Sequence, residues 1–517
     1  MRRWLSLLLA ACLGLGLLGC GPEDPAPAPS ASPVPSAAPS QAPEPARFSL
    51  GYDPAASLHP ITGASQVNQD LTGLVYQGLY ELDGQFVPRP VLAASGQPSQ
   101  DGYSWTFTMK AGALFSDGTP LTAHHAAASL NAARASGLYA ARLAGIVSVT
   151  AVDDATLTIA LSAPNGALPA LLDVPVVLER EDGGAPLGTG YYQYESAGDR
   201  LYLQASPHHP AASALPWPTI PLTAVSTAGE RIAAFDSGAV TAVTTQFSSP
   251  YALGYSGSYE TCDYPTTDLL YVGFQTKSGP CRSALVRAAF SRAFDRESLV
   301  RVELSGHADA ACLPVSPLCG DYDRQADGRL GWDLEEAAAL LAQAGYEKDQ
   351  EDGLLYHRRD PLAVTLVVNS DNESRQAAAE ALAASLGGLG VAVTVDTLPW
   401  NDYVKALSAG RFDLYIGEVR LTGDFDPSPL LTGALNYGGH EDWELAQALT
   451  AWRSARGEAR TQAAKTLWER FAQDVPIAPL CFKRGSLLMR WGMVSGLQPT
   501  RADPFYRMEE WSIAPHP

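Results

Sequence analysis

The chain has 517 residues, of which 46% are hydrophobic, and its formal net charge is −20. This length exceeds what one hydrophobic core accommodates, so two or three lobes are expected. The acidic residues are dispersed along the sequence and repel phosphate, which argues against a nucleic-acid partner.

The N-terminus predicts export. Arg2 and Arg3 precede an uncharged apolar run over 4–18, which is short for a membrane span and is followed by no stop-transfer pattern. We therefore predict a signal peptide over 1–19. The run ends in Leu-Gly-Cys20, which resembles a bacterial lipobox, and this resemblance implies a lipid on Cys20; a plain signal peptide with a chance cysteine is the alternative. The Pro-, Ala- and Ser-rich linker that completes 20–46 predicts an extended spacer.

The first half of the predicted mature chain alternates short strands and helices. Its hydrophobic periodicity and turn residues predict the following elements. They are a strand at 48–52, a helix over 67–80, a strand at 103–110, a helix capped by Thr122 and ending near 135, two strands within 146–161, a strand pair over 192–203 and a helix at 231–235.

The second half has longer amphipathic helices and ends in a regular alternation. The predicted elements are a strand at 269–274, a helix at 283–294, a helix capped by Asp295, a helix at 334–344 capped by Asp333, then strand 362–369, helix 373–386, strand 391–395, helix 400–408 and strand 412–416. This last β-α-β-α-β order predicts a parallel sheet with crossover helices.

Cysteine spacing and catalytic motifs limit the chemistry. Five cysteines follow Cys20, namely Cys262, Cys281, Cys312, Cys319 and Cys481. Cys312 and Cys319 enclose a short proline-containing loop and are the predicted disulfide, with Cys262 and Cys281 as a second possible pair. The sequence has no CxxC, no HExxH and no nucleophile elbow, so no metal, cofactor or enzymatic activity is expected.

Four stretches, in family order along the chain, resemble the bacterial extracellular solute-binding proteins of family 5, the peptide- and nickel-binding components of ABC importers. They are 76–93, 103–123 (with FSDGTPLTA), 186–192 (PLGTGYY) and 286–300 (VRAAFSRAFDRESLV). Weaker matches lie at 332–346 and 474–479. The resemblance implies an α/β, periplasmic-binding-protein-like fold of type II, with two main lobes joined by a hinge and an extra α+β lobe. Its implied domains are lobe I (47–75, 188–275 and 485–517), lobe II (76–187) and lobe III (276–484).

The resemblance also implies where a solute binds. In peptide-binding members an aspartate after the last parallel strand neutralises the ligand's α-ammonium, and the matching segment here, GDFDP at 423–427, makes Asp424 the first candidate and Asp426 the second. A turn and a helix cap are the alternative roles. The preceding segment departs from the family by carrying Glu418 and Arg420; Arg420 either receives a ligand carboxylate or pairs with Glu418. The other cleft candidates are Trp400, His59, Gln66, Asn68, Gln77, Asn436 and Tyr437.

The implied function is capture of a small solute, a short peptide by expectation, and its delivery to an ABC permease and its ATPase subunits. The protein would be a monomer held by Cys20 at the outer face of the cell membrane, or in the periplasm. Two alternatives stay open: the same fold binding nickel, haem or a sugar, and a peptide-sensing receptor.

Overall fold

The computed structural model describes residues 48–246 and 254–513, all within the unit that begins at Pro45. The predicted signal peptide, Cys20 and the linker lie outside the described residues. Within those two ranges, no helix is both long and apolar enough to cross a membrane.

Two four-stranded sheets belong to the N-terminal core. In the first, Leu50–Tyr52 pairs in parallel with Thr219–Ala224, and Arg200–Ala205 and Tyr192–Ala197 continue it antiparallel. The second is antiparallel, in the order Ala93–Pro98, Ser104–Met109, Thr156–Leu161 and Ile146–Ala151. In its second strand, every other side chain is buried, which is the alternation that predicted this strand. The helix Ala123–Arg134 packs against this sheet and is capped by Thr122, as predicted.

A seven-stranded mixed sheet organises the rest of the molecule. Its main path is Ala242–Thr245, Ile477–Arg490, Tyr259–Phe274, Leu414–Arg420, Ala363–Asn369 and Ala392–Leu398, and Ala308–Ala310 pairs with Ile477–Arg490. The last three strands of the path are parallel, and the helices Glu373–Leu389 and Trp400–Ser408 connect them, so the predicted crossover unit is confirmed.

Two long antiparallel strands, Tyr259–Phe274 and Ile477–Arg490, connect the two halves of the molecule; we call them the crossing strands. Leu487 and Met489 at one end belong to the N-terminal core. Residues 269–274 and 477–482 belong to the core of the C-terminal half. The strand register shifts between Pro265 and Leu269, where one strand bulges. The bulge therefore lies where the chain passes from one core to the other.

The remaining elements are short or lie on the periphery. The other helices are Gln66–Gln69, Thr72–Val75, Ala228–Ser237, Ala284–Arg292, Arg296–Ser298, Arg324–Gly328, Leu334–Gln343, Ser428–Leu431, Trp443–Ser454 and Gly457–Asp474. The 3₁₀ turns are Leu168–Leu171, Ala212–Ala214, Pro280–Arg282 and Met508–Glu510, and Leu299–Glu303 is a π-helical turn. The small sheets are Tyr80–Leu82 with Pro88–Pro90, Val494–Ser495 with Ser512–Ile513, and Glu347–Lys348 with Leu355–His357 and Asp360–Pro361.

The predicted helix over 67–80 is wrong in its second half. The structure has two single-turn helices, Gln66–Gln69 and Thr72–Val75, and then an extended chain. The carbonyl oxygens of Val75 and Gln77 accept hydrogen bonds from Gly190 and Val176 rather than from a next helical turn. Tertiary hydrogen bonds thus replace the helical ones here.

The predicted disulfide between Cys312 and Cys319 is also wrong. All five cysteines in the described part of the chain, including Cys262 and Cys281, are free thiols. Burial raises the pKa of Cys312 to about 11, and the Cys312 thiol donates a hydrogen bond to Asp327. Its sulfur is thus held by a carboxylate within the C-terminal core and not by Cys319.

Candidate functional site

A small cavity of about 10 Å³, room for about one water molecule, lies beside the bulge of the crossing strands. Four parts of the chain that are distant in sequence surround it: the end of Tyr80–Leu82 with the turn after it, the position Asp173, the crossing strand at Pro265, and the segment that follows the strand Val494–Ser495. Its lining residues are Leu82, Asp83, Phe86, Asp173, Pro265, Thr500, Arg501 and Ala502. The cavity thus lies between elements of both cores.

Arg420 makes a two-pronged ion pair with Asp268 near this cavity. Its Nε donates to Oδ1 at 2.6 Å and one of its terminal nitrogens donates to Oδ2 at 3.1 Å. Asp268 is buried in the bulge and also accepts from Gln246 at 3.1 Å. Burial raises the pKa of Asp268, but the hydrogen bonds and charge of Arg420 outweigh burial and hold that pKa below its usual value. Of the two roles predicted for Arg420, pairing with Glu418 is therefore wrong, since its partner is Asp268.

A second ion pair, between Arg142 and Asp173, comes from the N-terminal half. Arg142 also donates to the carbonyl oxygen of Leu171 at 2.7 Å. Burial lowers the pKa of Arg142 to about 10, and the nearby charges of Tyr139, Arg501 and Asp424 act on the same guanidinium. Arg142 therefore lies within electrostatic reach of both Arg501 and Asp424.

Asp424 is buried where the two halves touch. Asn165 of the N-terminal half donates to its Oδ2 at 2.9 Å, and Thr422 donates to Oδ1. The next residue, Phe425, packs edge-on against Phe86 and Phe482, with ring centroids 4.8 and 5.5 Å apart. This packing fixes the backbone that carries Asp424. Asp424 forms no ion pair with any residue that the structure describes.

Asp426, the second candidate, is neutralised within its own half. Its carboxylate lies 3.0 Å from Arg453 Nε and accepts the backbone N–H of Ser428 at 2.9 Å. Asp426 therefore holds the turn that leads into the helix Ser428–Leu431, which is the alternative role that the sequence left open for it.

Glu418 belongs to a separate buried network. Its Oε2 lies 2.9 Å from Lys483 Nζ and 3.2 Å from Arg375 Nε. Trp400 is half-exposed and stacks on Tyr403, and the guanidinium carbon of Arg375 lies 5.8 Å from the Trp400 ring centroid. Tyr437 contacts the aromatic group behind this network, with its ring centroid 6.1 Å from that of Tyr415. None of these contacts joins Glu418, Trp400 or Tyr437 to the cavity.

The other candidates use their polar atoms to hold local structure. Asn68 ties the 53–57 loop with four hydrogen bonds, and Asn436 closes the turn to His440. His59 contacts Glu179, Gln66 donates to Asp70, and Gln77 accepts from Thr189. The structure does not bring these five side chains into contact with Asp424 or Arg420. In the described ranges, no group of three or more His, Cys, Asp or Glu side chains is placed to hold a metal ion.

Sequence reasoning missed four charged residues of the site: Asp268, Arg142, Asp173 and Arg501. Asp268 carried a usable signal, because it is a lone charge directly before a run of buried apolar residues in a strand. Arg142, Asp173 and Arg501 lie in turns without periodicity, and only the tertiary fold brings them together.

A bulged strand pair that passes from one α/β core to another belongs to the fold of the type II periplasmic binding proteins. The family model of bacterial extracellular solute-binding proteins, family 5 (middle region), matches residues 87–441. The chain therefore belongs to this family of solute-binding proteins of peptide and nickel ABC importers, whose members act outside the cytoplasm.

Individual relatives are distant. The oligopeptide-binding protein AppA of Bacillus subtilis (strain 168) is 24% identical over 254 residues, covering 47% of this chain and 47% of that protein. The glutathione-binding protein GsiB of Shigella flexneri serotype 5b (strain 8401) is 26% identical over 311 residues, covering 56% of this chain and 60% of that protein. The matches thus span about half to three fifths of these relatives.

A solved structure extends the likeness in fold to nearly the whole chain. The nickel ABC transporter protein from Bacillus halodurans superposes with a TM-score of 0.74 at 19% identity, over 90% of this chain and 98% of that chain. The predicted multi-lobed α/β fold is confirmed.

Proposed function

We propose that this protein captures short peptides in the cleft beside the crossing strands and delivers them to an ABC permease. The observation that carries the proposal is the buried Asp424 carboxylate, which accepts hydrogen bonds from Asn165 and Thr422 but forms no ion pair with any described residue. A buried charge without a counter-ion is costly, and a peptide's α-ammonium would supply the missing charge. Relatives named for oligopeptide and glutathione binding support a peptide as the solute.

The proposal includes the membrane anchor and the lobes. A lipid on Cys20 would hold the protein at the outer face of the cell membrane, and the proline-rich linker would keep the cleft away from that surface. Lobes I and III, with the boundaries given above, would close on the solute by bending at the crossing strands, and the permease would recognise the closed form.

Isothermal titration of the purified protein with a tripeptide mixture and its N-acetylated counterpart tests this assignment. We expect N-acetylation to weaken binding to the wild type by about 10-fold or more, because a hydrogen bond between charged groups contributes about 1.5–3 kcal/mol. Asp424→Asn should bind both mixtures with the weaker affinity.

Asp426→Asn is the matched control, because Arg453 already neutralises Asp426; this variant should keep the preference for a free amino group. Loss of affinity for both mixtures to the same degree in Asp424→Asn would rule out contact between Asp424 and the ammonium. Failure of every tripeptide to bind the wild type would refute the peptide assignment itself.

A further inference from the structure

The sequence contains a single asparagine followed by glycine, Asn165–Gly166, and the structure places this pair where the two halves touch. Asparagine is a thermally labile residue, and a following glycine makes its deamidation fastest, because glycine has no Cβ to hinder the approach of its backbone nitrogen to the asparagine side chain. Both residues form hydrogen bonds with the C-terminal half. A chemically reactive pair is thus part of the contact between the halves.

Close packing at this contact requires glycine at position 166. A Cβ on Gly166 would lie 2.0 Å from the carbonyl oxygen of Ala455 and 2.8 Å from Cγ of Arg456. The backbone of Ala455 cannot yield by that distance, so a larger residue at position 166 would push the halves apart. The Gly166 N–H also donates to the carbonyl oxygen of Arg453 at 2.7 Å. The contact therefore needs the same residue that makes Asn165 reactive.

Three hydrogen bonds immobilise the groups that would react. The Asn165 side chain accepts the N–H of Ala167 at 2.8 Å through Oδ1, and its Nδ2 donates to Asp424 Oδ2 at 2.9 Å. The third bond, from the Gly166 N–H to Arg453, keeps the proton on the nitrogen that would attack. Asp424 and Arg453 both belong to the C-terminal half, so the protection that they give is lost when the halves separate.

We propose that Asn165 is a site of spontaneous deamidation, which contact between the halves protects and their separation exposes. In the reaction, the Gly166 nitrogen loses its proton and attacks Cγ of Asn165. The bond from Cγ to Nδ2 breaks, and ammonia leaves with that proton. Water then opens the resulting succinimide: breaking the bond from the ring nitrogen to Cγ gives aspartate, and breaking its bond to the backbone carbonyl carbon gives isoaspartate.

The product changes an attractive contact into a repulsive one. Aspartate at position 165 would put a carboxylate oxygen where Nδ2 now donates to Asp424. Two carboxylates so close cannot both stay ionised without a cost in free energy. The nearby Arg453 does not relieve this cost, because it is already paired with Asp426. Deamidation would therefore weaken the contact between the halves irreversibly.

The test compares deamidation of the full chain in buffer and in urea at the same mildly alkaline pH. Trypsin releases the peptide 143–180, in which Asn165 is the only asparagine, and mass spectrometry follows its conversion. We expect conversion in the native protein to be at least about 10-fold slower than in urea, because it requires the halves to separate. Asp424→Ala removes one protecting acceptor, so it should raise the native rate several-fold and leave the rate in urea unchanged. The control Asp402→Ala, at an exposed site, should match the wild type.

Equal rates in buffer and in urea would overturn the protection, and absence of conversion in urea would overturn the site. If Asp424→Ala does not fold, the comparison made on the wild type still decides. Asn165→Asp tests the product: its thermal unfolding midpoint should fall below that of the wild type, whereas Asn401→Asp, at an exposed position of the helix Trp400–Ser408, should show no such fall. Equal midpoints for the two variants would overturn the repulsion. These measurements use no solute, so their outcome is independent of the proposed function.

Discussion

The Glu418–Lys483 contact gives a sharp prediction about what holds the crossing strands. Lys483 is only 4% exposed, and its Nζ lies 2.9 Å from Glu418 Oε2. In Glu418→Gln this ammonium stays buried without its counter-charge, so we expect a loss of about 3 kcal/mol of unfolding free energy. Lys483→Met should cost less, about 1–2 kcal/mol, because Arg375 still neutralises Glu418.

The double variant completes a thermodynamic cycle measured by urea denaturation. Since the double variant no longer buries the Lys483 ammonium without its counter-charge, although Arg375 still loses Glu418, it should be more stable than the sum of the single losses predicts, by about 1–2 kcal/mol. The exposed pair Asp402 and Lys405, 3.1 Å apart, is the control, and its coupling should stay below about 0.5 kcal/mol. Equal coupling energies for the two pairs would refute the argument that burial makes the Glu418–Lys483 contact matter.

Two further predictions concern stability. Burial raises the pKa of Asp503 from 3.8 to about 7, so the folded protein binds this proton more tightly than the unfolded chain does. The protonated Asp503 therefore contributes roughly 4 kcal/mol of unfolding free energy below about pH 4, and this contribution is lost as the pH rises through about 7. Denaturation curves measured across this pH range should show the loss in the wild type and not in Asp503→Asn. The same pH dependence in both proteins would contradict the prediction. Gly485→Ala should lower the unfolding free energy by about 1–3 kcal/mol, because a Cβ there would lie 2.3 Å from the Tyr264 ring. Gly84→Ala is the control: a Cβ there meets open space, so the same urea titration should show a change of less than about 0.5 kcal/mol.

Elements with one buried face were predictable from sequence because the periodicity states which face is buried. The strand Ser104–Met109 alternates buried and exposed residues, and the helix Ala123–Arg134 begins at its expected cap. The crossing strand Tyr259–Phe274 was predicted only over its apolar half, 269–274. Its other half is largely polar and is extended because it pairs with Ile477–Arg490, a partner far away in sequence.

The site was less accessible to sequence reasoning than the fold. Asp424 and Arg420 were reached because one segment resembles a family motif. The partner of Arg420 could not be read from neighbouring positions, since Asp268 lies on the adjacent strand in antiparallel register with it. Arg501 had no pattern at all, because only the tertiary fold places it near Arg420 and Asp268.

The position of Asp424 also bears on how solute binding would favour closure. The Asn165–Asp424 hydrogen bond and the packing of Phe86 against Phe425 join the two halves across the cleft. Without a solute, holding the halves together keeps Asp424 buried without an ion-pair partner, which opposes closure. A ligand ammonium bound to Asp424 removes this penalty only in the closed form, so the ligand's affinity is greater there than in the open form. That difference is what a ligand needs in order to shift the population toward closure.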